Sequence, residues 1–305
     1  MDISVIGVPI FFGSDKKGTE YGPEKLRQKN IIDVLNKSGH TTYDAGDIHI
    51  LDIPEDEKYT FNSYMKYLKP ILDVNKNLAH QVYSSLCSNS FPLTIGGDHS
   101  IGLGSLSGTS KYHKNIAVIW LDAHGDINTD KTSPSGNVHG MPLSAAMGFG
   151  YDKLSNLYYK GPKVKPENVF ILGARSLDEG EQNLLKEQNI SIYSTEDIHA
   201  MGIKNIMAKI NSKLKRNEIQ SIHLSFDIDV LSPQLVPGTG TPVKKGINVT
   251  EVKYILKYLM ETGLVKSMDM VELNPRLDEN DKTSDLCIDL LFWTFKHLRH
   301  IQKNN

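Results

Sequence analysis

Ile116-Ala117-Val118-Ile119-Trp120-Leu121-Asp122-Ala123-His124-Gly125-Asp126 changes character at a single bond. Six apolar residues in succession read as a strand buried on both faces, the pattern of a parallel sheet with helices above and below it. Three ionisable groups then follow at spacing two. In open parallel sheets, ligands bind beyond the carboxyl ends of the strands. This stretch therefore sets the fold class and also says where chemistry belongs.

Similar runs recur along the chain. Strands are expected at Ile3–Val8, Phe91–Ile95, Ile116–Leu121, Val169–Leu172, Ile190–Tyr193, Ser221–Phe226 and Val265–Glu272, with a weaker one near Thr41–Tyr43. Helical patterns lie between them. Leu68, Ile71, Leu72, Leu78, Ala79, Val82 and Leu86 recur at helical spacing. Pro23 is placed as a first-turn proline, and Gly39 as the stop of the helix it opens. Further helices are expected from about Thr250 to Thr262 and from about Ser284. Strand–helix alternation of this length predicts an α/β fold: a three-layer α/β/α domain with a mostly parallel eight-stranded sheet. No linker, repeat or low-complexity tract divides it, so residues 1–305 are read as a single domain.

Composition narrows the class. The 305 residues are 39% hydrophobic and 23% charged, ordinary values for a soluble globular protein. A formal charge of -2 offers no general attraction for nucleic acid or an anionic membrane. No apolar run approaches the roughly 18–20 residues that span a bilayer. The N-terminus lacks the basic and apolar regions of a signal peptide. The two cysteines, Cys87 and Cys287, are read as free, buried thiols in a reducing compartment, which makes the cytoplasm the expected location. The Lys- and Asn-rich stretch Lys204–Asn217 reads as solvated helix surface.

Three polar clusters follow three strands. Gly96-Gly97-Asp98-His99-Ser100 is the first; its paired glycines allow a sharp turn and room for a ligand near His99. In the second, Asp122, His124 and Asp126 alternate along an extended segment and can face one point. In the third, Asp227 and Asp229 repeat that spacing, and two such carboxylates raise each other's pKa unless a cation is present. Taken singly, each has a plain structural explanation, a solvated loop or a helix cap. Together they supply four carboxylates and two imidazoles. Six ligands exceed the three or four of one zinc site. They suit two ions with shared carboxylates, about 3.5–4 Å apart. With no cysteine nearby, the site is hard and favours Mn²⁺, two per subunit. A bridging water acidified towards hydroxide makes hydrolysis the expected chemistry.

These segments carry a resemblance. Gly18-Thr19-Glu20-Tyr21-Gly22-Pro23, the GGDHS stretch, DAHGDINTDKTSPSGNVHGMP at 122–142, SFDIDVLSPQLVPGTGTP at 225–242 and VELNP at 271–275 are similar to the ureohydrolase family, over essentially the whole chain. Within that family the arginases are the nearest in pattern. The resemblance implies that Asp122 and Asp227 bridge two manganese ions, that His99 and Asp126 complete one, and that His124 and Asp229 complete the other. It implies attack of a bridging hydroxide, steadied by Asp126, on the guanidinium carbon of L-arginine, releasing urea and ornithine. It casts His139 as proton shuttle and Glu272 as partner of the substrate guanidinium. Asn128, Ser135 and Asn137 would receive the α-carboxylate, Asp178 the α-amino group, and Thr241 would line the pocket. Family members commonly form homo-oligomers, trimers or hexamers.

Three departures from the family pattern stand out. Ser232 replaces the usual Asp before a proline, Lys245 replaces a second Gly, and Arg175-Ser176 replaces Arg-Asp. The first two concern loop geometry; the third lies near the α-amino contact and bears on the choice of guanidino substrate. Agmatinase or another guanidino hydrolase is the neighbouring alternative, distinguished by the carboxylate and amino contacts. A catalytically silent binding protein of the same fold is the alternative from another class. Such a protein would be expected to have lost a ligand or the shuttle, and all are present.

Overall fold

The computed structural model describes residues 1–299. The strands are β1 (Asp2–Val8), β2 (Thr41–Asp47), β3 (Ser90–Gly96), β4 (Ile116–Leu121), β5 (Val169–Leu172), β6 (Ser191–Tyr193), β7 (Ser221–Asp227) and β8 (Val265–Val271). They form one sheet in the order β2-β1-β3-β8-β7-β4-β5-β6. Every pairing among the described strands is parallel, where a mostly parallel sheet was expected.

Alternation along β4 shows how the layers are built. Ala117, Ile119 and Leu121 join one core, with Ile206 and Ile210, Val252 and Ile255, and Leu290 and Leu291 from three covering helices. Ile116, Val118 and Trp120 join the other, with Ile71, Leu78 and Val82 of the helix Leu68–Cys87 and with Leu103 and Leu106. Successive strand side chains point to opposite faces, so a continuous apolar run is what a strand covered on both sides needs. Helix starts follow local chemistry: Asn248 accepts from the Glu251 amide while its own amide donates to the Glu251 carboxylate, reciprocal bonds that open the helix Val249–Glu261.

The structure corrects three expectations. One helix from Pro23 to Gly39 is in fact two, Gly22–Gln28 and Ile31–Lys37. The break is Asn30, at φ 59°, a left-handed conformation that asparagine tolerates better than most residues. The weak strand near Thr41–Tyr43 runs on to Asp47 despite poor β propensity in Asp44, Gly46 and Asp47. Pairing with β1 extends it, and Arg27 forks between the Asp44 and Asp47 carboxylates. Of the two free thiols, Cys287 is buried and Cys87 is exposed at the end of its helix.

Lys245 adopts a left-handed backbone, at φ 63°. A side chain there crowds the backbone, and Lys245 is exposed, so replacing it removes no packing. Lys245→Gly is expected to stabilise the fold by about 0.5–1 kcal/mol, or roughly 1–2 °C in melting temperature for a chain this long. A thermal melt of both proteins checks it; an unchanged or lower midpoint refutes the strain argument.

The strand order explains how distant segments meet. β3 and β4 are separated only by β8 and β7, so four neighbouring strands present their carboxyl ends side by side. Leu121 is in register with Phe226, Phe226 with Met270, and Met270 with Ile95. The next residues on β4, β7 and β8 are Asp122, Asp227 and Val271, with Glu272 one step further. The chain leaves β8 at Glu272 through φ 63°, its amide donating to the Gly97 carbonyl at 2.9 Å.

Candidate metal centre and substrate cleft

Asp122 is the first polar residue off β4 and is fully buried. Its two oxygens face different imidazoles: Oδ2 lies 2.9 Å from His99 Nδ1, and Oδ1 lies 3.3 Å from His124 Nδ1. Each oxygen also accepts a fixed N–H, from Trp120 Nε1 at 3.0 Å and from the His124 amide at 2.7 Å. Asp126 Oδ2 and Asp227 Oδ2 approach the same His99 Nδ1 at 3.0 and 3.3 Å. Asp229 Oδ2 is 3.1 Å from His124 Nδ1. Two ligand groups result: His99, Asp122 and Asp227, and Asp122, His124 and Asp229, with Asp122 common to both.

Several observations fit these groups to a pair of divalent cations. His99 Nδ1 and Asp126 Oδ2 are buried and make no hydrogen bond, a costly condition that an ion removes. Their spacing of about 3 Å is that of neighbouring ligands around an ion with bonds of about 2.1 Å. The donors are carboxylate and imidazole without thiolate. Electrostatics agree. Burial, together with the charges of Asp229 and Asp122, pushes the Asp227 carboxyl well above its usual range. Burial with Asp122 pushes Asp126 up to about 6. Burial opposes a charge on His124, yet Asp229 and Asp122 outweigh it and push the imidazole up to about 12. The pocket demands positive charge.

Past β4 the chain bends at Ala123 and His124, so the segment does not simply continue the alternation of the strand. Asp126 reaches the cluster because its own backbone turns left-handed, at φ 52°. The paired glycines also serve close packing. A Cβ on Gly97 would sit 2.1 Å from the Ile10 carbonyl oxygen, and one on Gly96 2.5 Å from Ile101 Cδ1. Gly97 thus admits the chain leaving β1 and Gly96 admits Ile101, while the chain bends at Gly97–Asp98 as the paired glycines led one to expect.

A cleft opens over the cluster. Its walls include Asn128, Ser135, Asn137, His139, Asp178 and Thr241, all expected from the sequence. Asn128 donates to Asp178 Oδ2 at 2.7 Å while its oxygen accepts from Thr132. Thr241 Oγ1 donates to Asp229 Oδ2 at 3.2 Å. Glu272 takes a different position. It is not among the cleft-lining residues; its Oε1 accepts from the His99 amide at 2.9 Å and lies 3.3 Å from His139 Nδ1. Its Oε2 is buried without a partner.

Sequence reading missed several residues here. Glu181 also lines the cleft, as does Ser176, which the sequence had placed near the α-amino contact. Glu181 accepts the Asp178 and Ile127 amides, and burial pushes its carboxyl up to about 7. Trp120 stacks on His99 with ring centroids 4.1 Å apart. Behind His99 runs a buried polar seam: Nε2 meets Ser225 Oγ at 2.9 Å, Ser225 donates to Asp269 at 3.3 Å, and Asp269 lies 3.0 Å from His223 Nε2. A signal existed, since Ser221, His223 and Ser225 alternate along one face of an otherwise apolar strand. Arg175, of the unusual Arg175-Ser176 pair, sends its guanidinium to backbone carbonyls only, among them Asp229 at 2.8 Å and Val243 at 2.9 Å, and so braces the loop beneath the cluster.

Known proteins share this architecture. The arginase of Bacillus subtilis (strain 168) is 42% identical over 289 residues, 95% of this chain and 96% of the relative. The native structure of Bacillus caldovelox arginase at pH 5.6 superposes with a TM-score of 0.91 at 39% identity, covering 96% of this chain and 98% of that one. Entamoeba histolytica arginase in complex with L-ornithine gives a TM-score of 0.89 at 33% identity, with 96% and 97% covered. The model of the Arginase family matches residues 1–295, reaching from the first strand to the last helix and taking in all three ligand-bearing strand ends, so this chain belongs to the Arginase family.

Proposed function

We infer that this chain hydrolyses L-arginine to L-ornithine and urea at a binuclear manganese centre. The observation that carries the reading is the shared carboxylate of Asp122 between two ligand groups, beneath a cleft with polar walls. When bound, the two ions supply a hydroxide nucleophile at neutral pH and positive charge for the transition state. His99, Asp122, His124, Asp126, Asp227 and Asp229 are the residues assigned to hold them, and the hard donor set favours manganese.

The remaining roles fall to side chains of the cleft. Asn128, Ser135 and Asn137 offer neutral hydrogen bonds to the α-carboxylate, and Asp178 attracts the α-amino group. Asp126 holds the attacking water by a hydrogen bond. The unpartnered Oε2 of Glu272 is the acceptor assigned to the guanidinium, whose N–H groups need a fixed carboxylate to set their orientation. His139, with Nδ1 directed to Glu272, keeps Nε2 for proton delivery to the leaving amine. Thr241 steadies Asp229. The Entamoeba relative binds L-ornithine, the product expected here. The continuous sheet supports one domain over residues 1–305, and the family resemblance supports a cytoplasmic trimer or hexamer. Among the described residues no helix is long and apolar enough to cross a membrane.

The test is to strip the purified protein with chelator, reload it with Mn²⁺, and measure urea from L-arginine and from agmatine. Urea from L-arginine, lost on stripping and restored on reloading, is the expected result. Urea from agmatine alone would overturn the carboxylate assignment and turn the reading to a decarboxylated guanidino substrate.

A further inference from the structure

Lys66 is remote in sequence from every cleft residue, and it is not among the side chains that line the cleft. Its ammonium nevertheless donates to Asn137 Oδ1 at 2.9 Å. The same ammonium pairs with Asp15 Oδ2 at 3.0 Å, where Lys58 also converges at 3.3 Å. On the other side of the amide, Asn137 Nδ2 donates to the Ser14 carbonyl at 2.9 Å. An asparagine amide has an acceptor end and a donor end of nearly equal shape. Here both neighbours select one orientation. Turned over, Asn137 would set its NH2 against an ammonium and its oxygen against a carbonyl, two repulsive contacts in place of two bonds.

The backbone is gripped as well. The Lys66 amide donates to the Gly136 carbonyl at 3.1 Å, and the Tyr64 hydroxyl donates to the Ser133 carbonyl. Gly136 has φ 69°, and a Cβ there would fall 2.3 Å from the Tyr64 carbonyl oxygen. The segment before the helix Leu68–Cys87 thus lies directly against the loop 133–137. With Oδ1 committed to Lys66 and one N–H to Ser14, the second N–H of Asn137 is the one left for the cleft.

We propose that Lys66, held by Asp15, is a positioning residue that fixes the Asn137 amide with its donor end toward the cleft and so makes the site selective for a guanidino substrate carrying an α-carboxylate. This rests on the L-arginine reading above and deepens it. A free amide would present its oxygen to the carboxylate part of the time, and an oxygen facing an anion repels it. Lys66 also adds a positive charge one hydrogen bond behind the carboxylate subsite, without the direct ion pair that would slow product release. The effect belongs to binding of the far end of the substrate, so it appears in KM more than in kcat.

The experiment compares manganese-loaded wild type and Lys66→Met on L-arginine and on L-argininamide, which keeps the α-amino group and masks the carboxylate. For L-arginine, kcat/KM is expected to fall about 10-fold through KM; for L-argininamide it is expected to fall less than threefold. Lys66→Arg should restore most of the loss. In an Asn137→Ala background, Lys66→Met should cost less than a further twofold, because the amide it orients is gone. Equal losses on both substrates, or losses that multiply in the double variant, overturn the proposal. If Lys66→Met does not fold, Asp15→Asn carries the same test, with the arginine-to-argininamide ratio expected to drop about threefold and an unchanged ratio overturning it. A wild type that hydrolyses L-arginine while the variants keep its ratio defeats the Lys66 proposal alone. A wild type inactive on L-arginine defeats the functional reading and the proposal with it.

Discussion

Asp122→Asn is expected to lower kcat/KM for L-arginine at least about 10³-fold and to leave the purified protein with one metal ion or none in place of two. No other carboxylate in the cluster faces both imidazoles, with Oδ2 toward His99 and Oδ1 toward His124. An amide keeps the shape and changes two things. It removes one of four negative charges that offset two divalent cations. It also converts one oxygen into a donor, and both oxygens already receive an N–H, from Trp120 and from the His124 amide. Either orientation therefore sets donor against donor in a position with no exposure to water. Metal content by elemental analysis, with urea release on the same sample, gives the answer. Asp52→Asn, on an exposed loop, should retain both ions and full activity. Two ions retained by Asp122→Asn with activity within tenfold of wild type would remove Asp122 from the bridging role.

The degree to which this centre was readable follows from what makes each residue arrive there. His99, Asp122, His124, Asp227 and Asp229 were legible because strand ends announce themselves: an apolar run stops and ionisable residues begin, and parallel strands align their carboxyl ends. Even so, the stated reason failed for Asp126, which arrives through a left-handed backbone that alternation does not describe. β8 and β3 were found to within a residue, yet nothing in either segment says that they are neighbours, with β7 next in line. That is a property of crossovers, set by which helices cover which face. Glu181 was hidden in the first turn of a helix, where an acidic residue has an ordinary reason to be. Lys66 and Asp15 were beyond reach, because neither lies in a periodic element and their meeting with Asn137 is decided by loop packing. The helix broken at Asn30 shows the same limit, since a single residue tolerant of positive φ outweighs the periodicity around it.

The second large effect concerns the proton. His139→Asn is expected to cut kcat about 100-fold with little change in metal content, and free imidazole in the buffer should restore part of the loss. Glu272→Gln is expected to cost about 10-fold in kcat and, more tellingly, to move the alkaline limb of the kcat–pH profile to lower pH. Burial opposes a charged ring at His139, but the hydrogen bond and charge of Glu272, with Asp126 and Asp98 beyond it, prevail and hold the imidazole above its ordinary value. A proton donor works in its protonated form, which dominates below its pKa. Raising that pKa extends activity toward higher pH, and removing the Glu272 charge must draw the limb back. Glutamine keeps an oxygen for the His99 amide, so the backbone contact at 2.9 Å can survive while the charge is lost. A residue that merely packed beneath His139 would lower kcat at every pH without moving the limb. An unmoved limb in Glu272→Gln would therefore assign the titration to another group and free His139 from the role given to it.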